Sequence, residues 1–324
     1  MRTYVIRRVF LLIPTMFLVT IAVFFLVRFM PGDIIDAMVR EHMQEASFQG
    51  RDEVLDPDRL RSMLGLDEPI LVQYIDWVGG IITRGDLGKS LWNERTLVED
   101  LVARIPVTFE LGLLTMIIAN VIGIPIGIYS AVRQDTWLDY LGRIFAILNL
   151  ATPAFWLATM LIVYGSIYFN WSPPIEYVPF TVDPIENLKI LIIPALLTGT
   201  AMTGGMMRFL RTLTLEVLRQ DYVRTAWAKG LKERVIILRH ALRNALIPLL
   251  TMFIPQLGML IGGSVIMEQI FCLPGLGRYL LEVLTTRDYF LVSGTNLIYG
   301  AFTMFLILLT DLSYAWADPR IRYK

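Results

Sequence analysis

One cysteine and two histidines are all that this 324-residue chain holds of the side chains most used to bind metals or cross-link folds. With Cys272 alone, no intrachain disulfide can form. His42 and His240 fall on opposite sides of the membrane in the six-span topology that the apolar runs dictate, so they share no metal and relay no proton. There is no H-E-x-x-H run and no cysteine pair for zinc. No catalytic or metal-binding set emerges, and no cofactor is expected. A phosphate-cradling loop is missing as well. "TRGDLGKS" (83–90) ends in Gly88, Lys89 and Ser90, but position 83 is threonine where that motif needs glycine. It also follows an amphipathic helix rather than a buried strand, so it reads as a turn. Net charge is absent too, with 29 Lys and Arg against 29 Asp and Glu, so the placement of charge matters more than its sum. No internal repeat or low-complexity segment is visible.

What is abundant is apolar surface. Apolar residues make up 55% of the chain, and the mean hydropathy is +0.58. That is too apolar for a water-soluble domain of this length, which directs attention to membrane spans. A helix needs about 18 to 25 apolar residues to cross the hydrocarbon core. Five uncharged stretches qualify: Val9–Val27, Leu111–Val132, Ile144–Glu176 (charge-free up to that glutamate), Ala245–Met267 and Phe290–Thr310. Ile190–Met207 is a sixth, at 18 residues. The first run follows Arg2, Arg7 and Arg8 like a signal peptide, yet ends in "VRFMPGD" rather than a small-x-small cleavage site, and is expected to remain as an uncleaved span.

Orientation follows from Lys and Arg in the connections. The arginines before the first run, Arg133 and Arg143, the 208–243 segment with nine basic against three acidic residues, and Arg320, Arg322 and Lys324 all fall on one side if six spans alternate. That side is expected to be cytoplasmic, with both termini inside. The opposite connection 171–188 carries Glu176, Asp183 and Glu186 and no basic residue. Residues 31–104, with fifteen acidic and eight basic residues, form an outward insertion. "DPDRLRSMLGL" (56–66) and "PILVQYIDWVGGII" (69–82) have helical apolar spacing, and "SLWNERTLVEDLVARIP" (90–106) reads as a helix lying on the outer surface before the second span. Seventy residues suffice for a small cap but hardly for an independent enzyme core. The expected division is a first transmembrane helix at 1–30, the insertion at 31–104, a helical core at 105–316 and a tail at 317–324.

Pro14, Pro125, Pro153, Pro194, Pro248 and Pro255 interrupt the spans, which a membrane tolerates where neighbours re-satisfy the backbone. "GIPIG" (123–127) and "GMLIG" (258–262) place glycines four apart, permitting close helix contact within the chain. Arg28, Glu110, Arg143, Glu268 and Asp311 lie near or within spans, where an ionisable group is a functional candidate by default. All five sit near a span end, within reach of the interface. Glu268 and Asp311 carry the alternative reading of a stand-alone ion-coupled carrier or channel. Asn120, Asn149, Thr152, Gln256 and Asn296 are polar within spans, and interhelical hydrogen bonds are their expected use.

The segment "DYVRTAWAKGLKERVIILRHALRNALIP" (221–248) stands apart, with seven basic residues counting His240, two acidic ones and one glycine between apolar runs. Asp221 is a reasonable N-cap and Gly230 a reasonable terminator. Beyond it, Leu231, Val235, Leu238, Leu242 and Leu246 trace an apolar stripe, with Arg234, Arg239 and Arg243 off it. Physically this is helix, glycine turn, second helix. By charge alone it could equally rest on anionic headgroups; the flanking spans pin it to the bilayer and away from nucleic acid.

This segment resembles the "EAA" loop of the permease subunits of ATP-binding-cassette importers, in their oligopeptide, dipeptide and nickel branch. Gly230 falls at the glycine of that loop and Thr225 and Ala226 at its alanine positions. Arg224 stands in place of the glutamate, and Trp227 where relatives often have arginine. The likeness extends to "YVIRRVFLLIPTMFLVTIAVFFLVRFMPGD" at the start, "RGDLGKSL" (84–91), "MEQIFCLPGLGRYL" (267–280) and "DPRIRY" near the end. It implies an all-α, six-helix integral membrane protein of the type I importer permease fold in a prokaryotic inner membrane. It also implies a second homologous permease, two cytoplasmic ATP-binding subunits and an extracytoplasmic solute-binding protein as partners, besides membrane lipid. In such permeases the loop, here 215–247, seats in a groove of the ATPase and transmits its closure. By that resemblance Asp221, Arg224, Thr225, Ala226, Ala228, Lys229 and Gly230 carry the contact, Ala226 and Ala228 allow close seating, and Arg234, Arg239 and Arg243 hold flanking charge. The branch carries dipeptides, oligopeptides, glutathione, nickel chelates and oligosaccharides, so the solute is not implied.

Overall fold

A computed structural model describes residues 2–29, 35, 39, 56–63, 65–90, 95–237, 256, 258 and 265–317. These form helices: α1 (Arg2–Arg28), α2 (Pro57–Met63), α3 (Ile70–Arg84), α4 (Leu97–Val132), α5 (Trp137–Ala151), α6 (Ala154–Phe169), α7 (Pro184–Leu218), α8 (Asp221–Ala228), the single turn α9 (Glu233–Val235), α10 (Val265–Ile270), α11 (Leu276–Thr285) and α12 (Tyr289–Ala317). The only extended pairing among the described residues is the isolated bridge Lys89–Thr96. Four helices are long and apolar enough to cross a membrane, over 6–28, 97–132, 184–218 and 289–309, and α5 with α6 makes up to five. The expected span at 245–267 lies almost wholly outside the described residues.

Two differences from the sequence reading have local causes. The charge-free run from Ile144 is not one straight helix, because α5 and α6 meet at 87°. Pro153 forces the residue before it out of the helical region, and Thr152 is extended at φ −102°, ψ 117°. The second difference is α4, which begins at Leu97 and runs unbroken for 36 residues through Pro106 and Pro125. The stretch up to Pro106 is thus the first part of α4, not a separate surface helix. Its start is fixed by a reciprocal cap: the Glu99 amide donates to Thr96 Oγ1 at 3.4 Å, and the Thr96 amide to the Glu99 carboxylate at 3.4 Å. α7 starts on a similar device, with Asp183 accepting from the amides of Ile185 at 3.0 Å and Glu186 at 3.1 Å behind Pro184.

Two compact units can be distinguished. One comprises 1–6, 104–278 and 303–324. Its core joins Val107, Leu111 and Ile118 of α4, Ala158 of α6, Ile190, Leu191 and Ala195 of α7, and Met267 of α10. α5 packs along α7, and α4 approaches α7 so closely that a Cβ at Gly127 would lie 2.9 Å from the Met207 carbonyl oxygen. The small residues of "GIPIG" therefore serve packing within the chain.

The other unit comprises 7–103 and 279–302. Phe24 of α1, Trp77 of α3 and Leu297 of α12 form its centre, with the Phe24 and Tyr74 rings edge to face at 5.4 Å. Thr20 and Tyr74 hydroxyls share a hydrogen bond of 2.8 Å. The 84–90 segment is a turn, as read: Gly85 adopts φ +64°, and Ser90 Oγ donates to the buried Asp288 carboxylate at 3.0 Å. Asp288 in turn accepts from the Leu291 amide at 3.3 Å, capping α12. The Gly-Lys-Ser run is thus an anchor between a loop and a helix start.

Candidate functional site

The 221–237 segment grows directly out of α7. Two residues, Arg219 and Gln220, turn the chain, and the Gln220 carbonyl accepts from the amides of Val223 at 3.0 Å and Arg224 at 3.2 Å. The residue before the first helical turn is therefore Gln220, and Asp221 sits inside that turn. There its carboxylate favours the positive end of the helix and lies 3.5 Å from Arg224 Nη1.

The far end closes in a Schellman arrangement. The Leu231 amide donates to the Ala226 carbonyl at 3.4 Å and the Gly230 amide to the Trp227 carbonyl at 2.9 Å. Gly230 has φ +74°, a conformation that costs an L side chain roughly 1–2 kcal/mol. The glycine expected as a helix terminator occupies that role.

α8 has two faces. Val223, Ala226 and Ile236 are buried against Val217 and Leu218, so Ala226 lets the helix sit close on the end of α7. Asp221, Arg224, Thr225, Ala228, Lys229, Gly230 and Arg234 are exposed. Arg239 and Arg243 lie outside the described residues. Two aromatic side chains join the exposed face, Tyr222 at 43% and Trp227 at 47% exposure. Large rings left half in water on an eight-residue helix are candidates for a partner's pocket. Trp227 figured in the sequence only as a departure, and Tyr222 was passed over, because two aromatics at i, i+5 with charges between them form no periodic stripe.

The base of α8 is fixed from two directions. Arg211, on the last turns of α7, forms a fork with Asp139 of α5, Nε to Oδ1 at 2.9 Å and Nη2 to Oδ2 at 2.8 Å. Ser130 of α4 donates to the same carboxylate, and the Asp135 amide adds a bond of 3.0 Å. Asp139 is 0% exposed, and a buried charge persists only when paired in this way. Arg143 approaches at 3.5 Å and also covers the Tyr140 ring at 4.2 Å. On the other side, Arg133 at the end of α4 pairs with Glu233 at 3.4 Å. The Asp139–Arg211 fork was missed in the sequence. An Asp and an Arg 72 positions apart carry no local signal, and only Arg143, one helical turn from Asp139, was in view.

Glu268 also has a structural assignment. It is 0% exposed, with Oε1 accepting from Thr108 Oγ1 at 2.7 Å and Oε2 from the Arg278 amide at 3.0 Å. Thr108 Oγ1 accepts from the Leu276 amide at 2.8 Å. The carboxylate therefore caps α11, directly and through Thr108, and reaches it because residue 275 is glycine: a Cβ there would lie 2.3 Å from the Glu268 carboxyl carbon. Asp311 is partly buried on α12. Glu110 accepts from Tyr177 Oη at 2.7 Å and Asn187 Nδ2 at 2.9 Å. Burial, then this carboxylate, push the Tyr177 phenol above its ordinary range. Of the polar span residues, Asn120 donates to Gln256 at 3.1 Å, whereas Asn149 and Asn296 donate to their own helix at 2.8 and 2.9 Å.

Comparison with known proteins gives a consistent likeness. Residues 123–323 match the family described as binding-protein-dependent transport system inner membrane component, and residues 1–112 match the N-terminal region of such membrane components. The chain is 36% identical over 326 residues to the oligopeptide transport system permease protein AppB of Bacillus subtilis, covering 100% of both chains. It is 33% identical over 344 residues to the di/tripeptide transport system permease protein DppB of Pseudomonas aeruginosa, again covering 100% of each. Among solved structures, the inward-facing MetNI methionine ABC transporter matches with a TM-score of 0.48 at 18% identity, over 69% of this chain and 96% of that one.

Proposed function

This chain belongs to the binding-protein-dependent transport system inner membrane components, and from that premise we propose that it is a permease subunit of an ATP-driven importer of peptide-like solutes. ATP hydrolysis falls to separate subunits. The observation that carries the reading is the construction of α8: its inner face is packed on the end of a candidate span, while its outer face is complete, capped and open to a partner. A helix rigidly continuous with a membrane-crossing one converts a push from an ATPase into a rearrangement of packed helices. Tyr222 and Trp227 are the anchors of that contact, with Asp221, Arg224, Thr225, Ala228, Lys229 and Arg234 around them and Arg239 and Arg243 flanking. Ala226 seats the helix and Gly230 closes it.

The same reading supplies the rest of the assembly. Six spans place both termini in the cytoplasm, residues 31–104 outside against a solute-binding protein, and a homologous permease beside the 105–316 core. The names of the relatives point to peptides as cargo; the choice of peptide rests on the binding protein. The ion-coupled alternative loses one of its two residues, because both carboxylate oxygens of Glu268 are already bonded within the fold.

The test is Gly230→Asp. Among the described residues, a Cβ at 230 meets no atom within 4 Å beyond its chain neighbours, and aspartate is among the few residues that visit this backbone region. The variant should insert and accumulate normally yet lose ATP-dependent uptake. Uptake at the wild-type rate would overturn the docking assignment.

A further inference from the structure

In the unit formed by 7–103 and 279–302, a cavity of about 260 Å³ opens beside the end of α1, with α3, the 85–88 turn and the start of α12 around it. That is slightly smaller than the usual range for drug-sized ligands, so an occupant would be a small molecule or a headgroup. Phe24, Trp77 and Phe290 give it aromatic walls, and four charged residues, Arg28, Arg84, Asp76 and Asp86, line it as well.

These charges do not pair. Among the described residues, no ion pair includes any of the four. Asp86 accepts from the Gly88 amide at 3.0 Å. Arg28 is part-buried, with its guanidinium carbon 5.1 Å from the Phe24 ring and 5.4 Å from the Tyr289 ring. Aromatic faces favour the cation but accept none of its five N–H bonds. The contrast with Arg211 is direct, since that arginine has its carboxylate fork. Two cations and two carboxylates that line one cavity, with no ion pair between them among the described residues, are complementary to a ligand that carries both signs.

We infer that this cavity binds a small zwitterion, its anionic group at Arg28 and Arg84, its ammonium at Asp76 and Asp86, and its apolar part on the aromatic walls. Two sources present that chemistry. One is a free dipeptide or amino acid; the other is the phosphoethanolamine headgroup of a lipid, which α1 would meet where its apolar run ends at Arg28. Binding requires neither ATP hydrolysis nor uptake, so the inference stands or falls separately from the coupling role of α8.

The assembled transporter would be reconstituted in nanodiscs of phosphatidylcholine alone and titrated with alanyl-phenylalanine by calorimetry. In parallel, native mass spectrometry would count phosphatidylethanolamine retained after exchange from mixed lipid. Two variants accompany the wild type. Arg28→Gln removes the charge. Gly80→Leu fills the cavity from α3, where a Cβ, outside its own helix backbone, meets Arg84 Nη2 at 3.4 Å and no other described atom within 4 Å. Loss of a charge-assisted contact should weaken binding about tenfold or more. A drop of that size in both variants in the dipeptide arm supports a free zwitterion; in the lipid arm it supports the headgroup. Should Arg28→Gln fail to fold, Gly80→Leu decides alone. No binding by the wild type in either arm, or variants that bind as the wild type does, would overturn the inference.

Discussion

Two buried carboxylates, Asp139 and Glu268, show how an ionisable residue in an apolar chain can be committed to architecture. Asp139 is balanced by the Arg211 fork, the Ser130 hydroxyl and the Asp135 amide. Glu268 takes a hydroxyl and a backbone amide among its partners, in the cleft beside Gly275. Glu268→Gln preserves the shape but replaces one acceptor oxygen by a donor that faces another donor. Leaving one such buried group unsatisfied costs about 1–3 kcal/mol. The variant is therefore expected to melt several degrees lower in detergent while the surviving folded fraction transports at an unchanged rate per molecule. Normal melting with altered ion dependence would return Glu268 to the carrier reading. The sequence displayed Glu268 as a charged residue near a span end; its partners, Thr108 and the amide of Arg278, become visible only when α4 and α11 are brought together.

Among the elements, α8 was the most legible. Its length and its glycine stop follow from local pattern, because a short capped helix is decided by its own residues. The division of its faces was less so, since Val223 and Ala226 are buried by Val217, Leu218 and Ile236 rather than by any periodic run. That division yields a paired prediction. Trp227→Ala on the outer face should leave expression and melting unchanged and weaken binding of the ATPase subunit at least tenfold, measured by pull-down titration. Val223→Asp should instead destabilise the segment by placing a charge against α7, seen as increased proteolysis around 219–230. Equal ATPase binding by Trp227→Ala and wild type would remove Trp227 from the interface. α4 illustrates the opposite case: Thr96 and Glu99 spell a capping box three residues apart, yet the two prolines downstream obscured the fact that one helix runs through them.

For the molecule as a whole, the apolar runs announced a membrane protein and each candidate span among the described residues, but not the corner at Thr152–Pro153. Composition measures how greasy a stretch is, whereas the bend depends on a single proline and on the packing of α5 along α7. The orientation inferred from Lys and Arg is open to a direct check through the lone cysteine. Cys272 is exposed, and the six-span topology places it outside. A membrane-impermeant maleimide should label it in intact spheroplasts without lysis, with Cys272→Ser as the blank. Labelling only after lysis would invert the topology.

The corner also bears on how the protein is made. At about 1.5 Å per residue, α5 and α6 with 15 and 16 residues are about 22 and 24 Å long, and neither alone crosses a hydrocarbon core of about 30 Å. Asp139 emerges from the ribosome 72 residues before Arg211, the cation that neutralises it. At 5 to 20 residues per second that interval is roughly 4 to 14 s. During it the aspartate has no arginine fork to enter, and water or headgroups must hold it at the bilayer edge. The order of synthesis thus differs from the order of packing: α5 is made early and finished late, and its final position waits for a helix not yet translated.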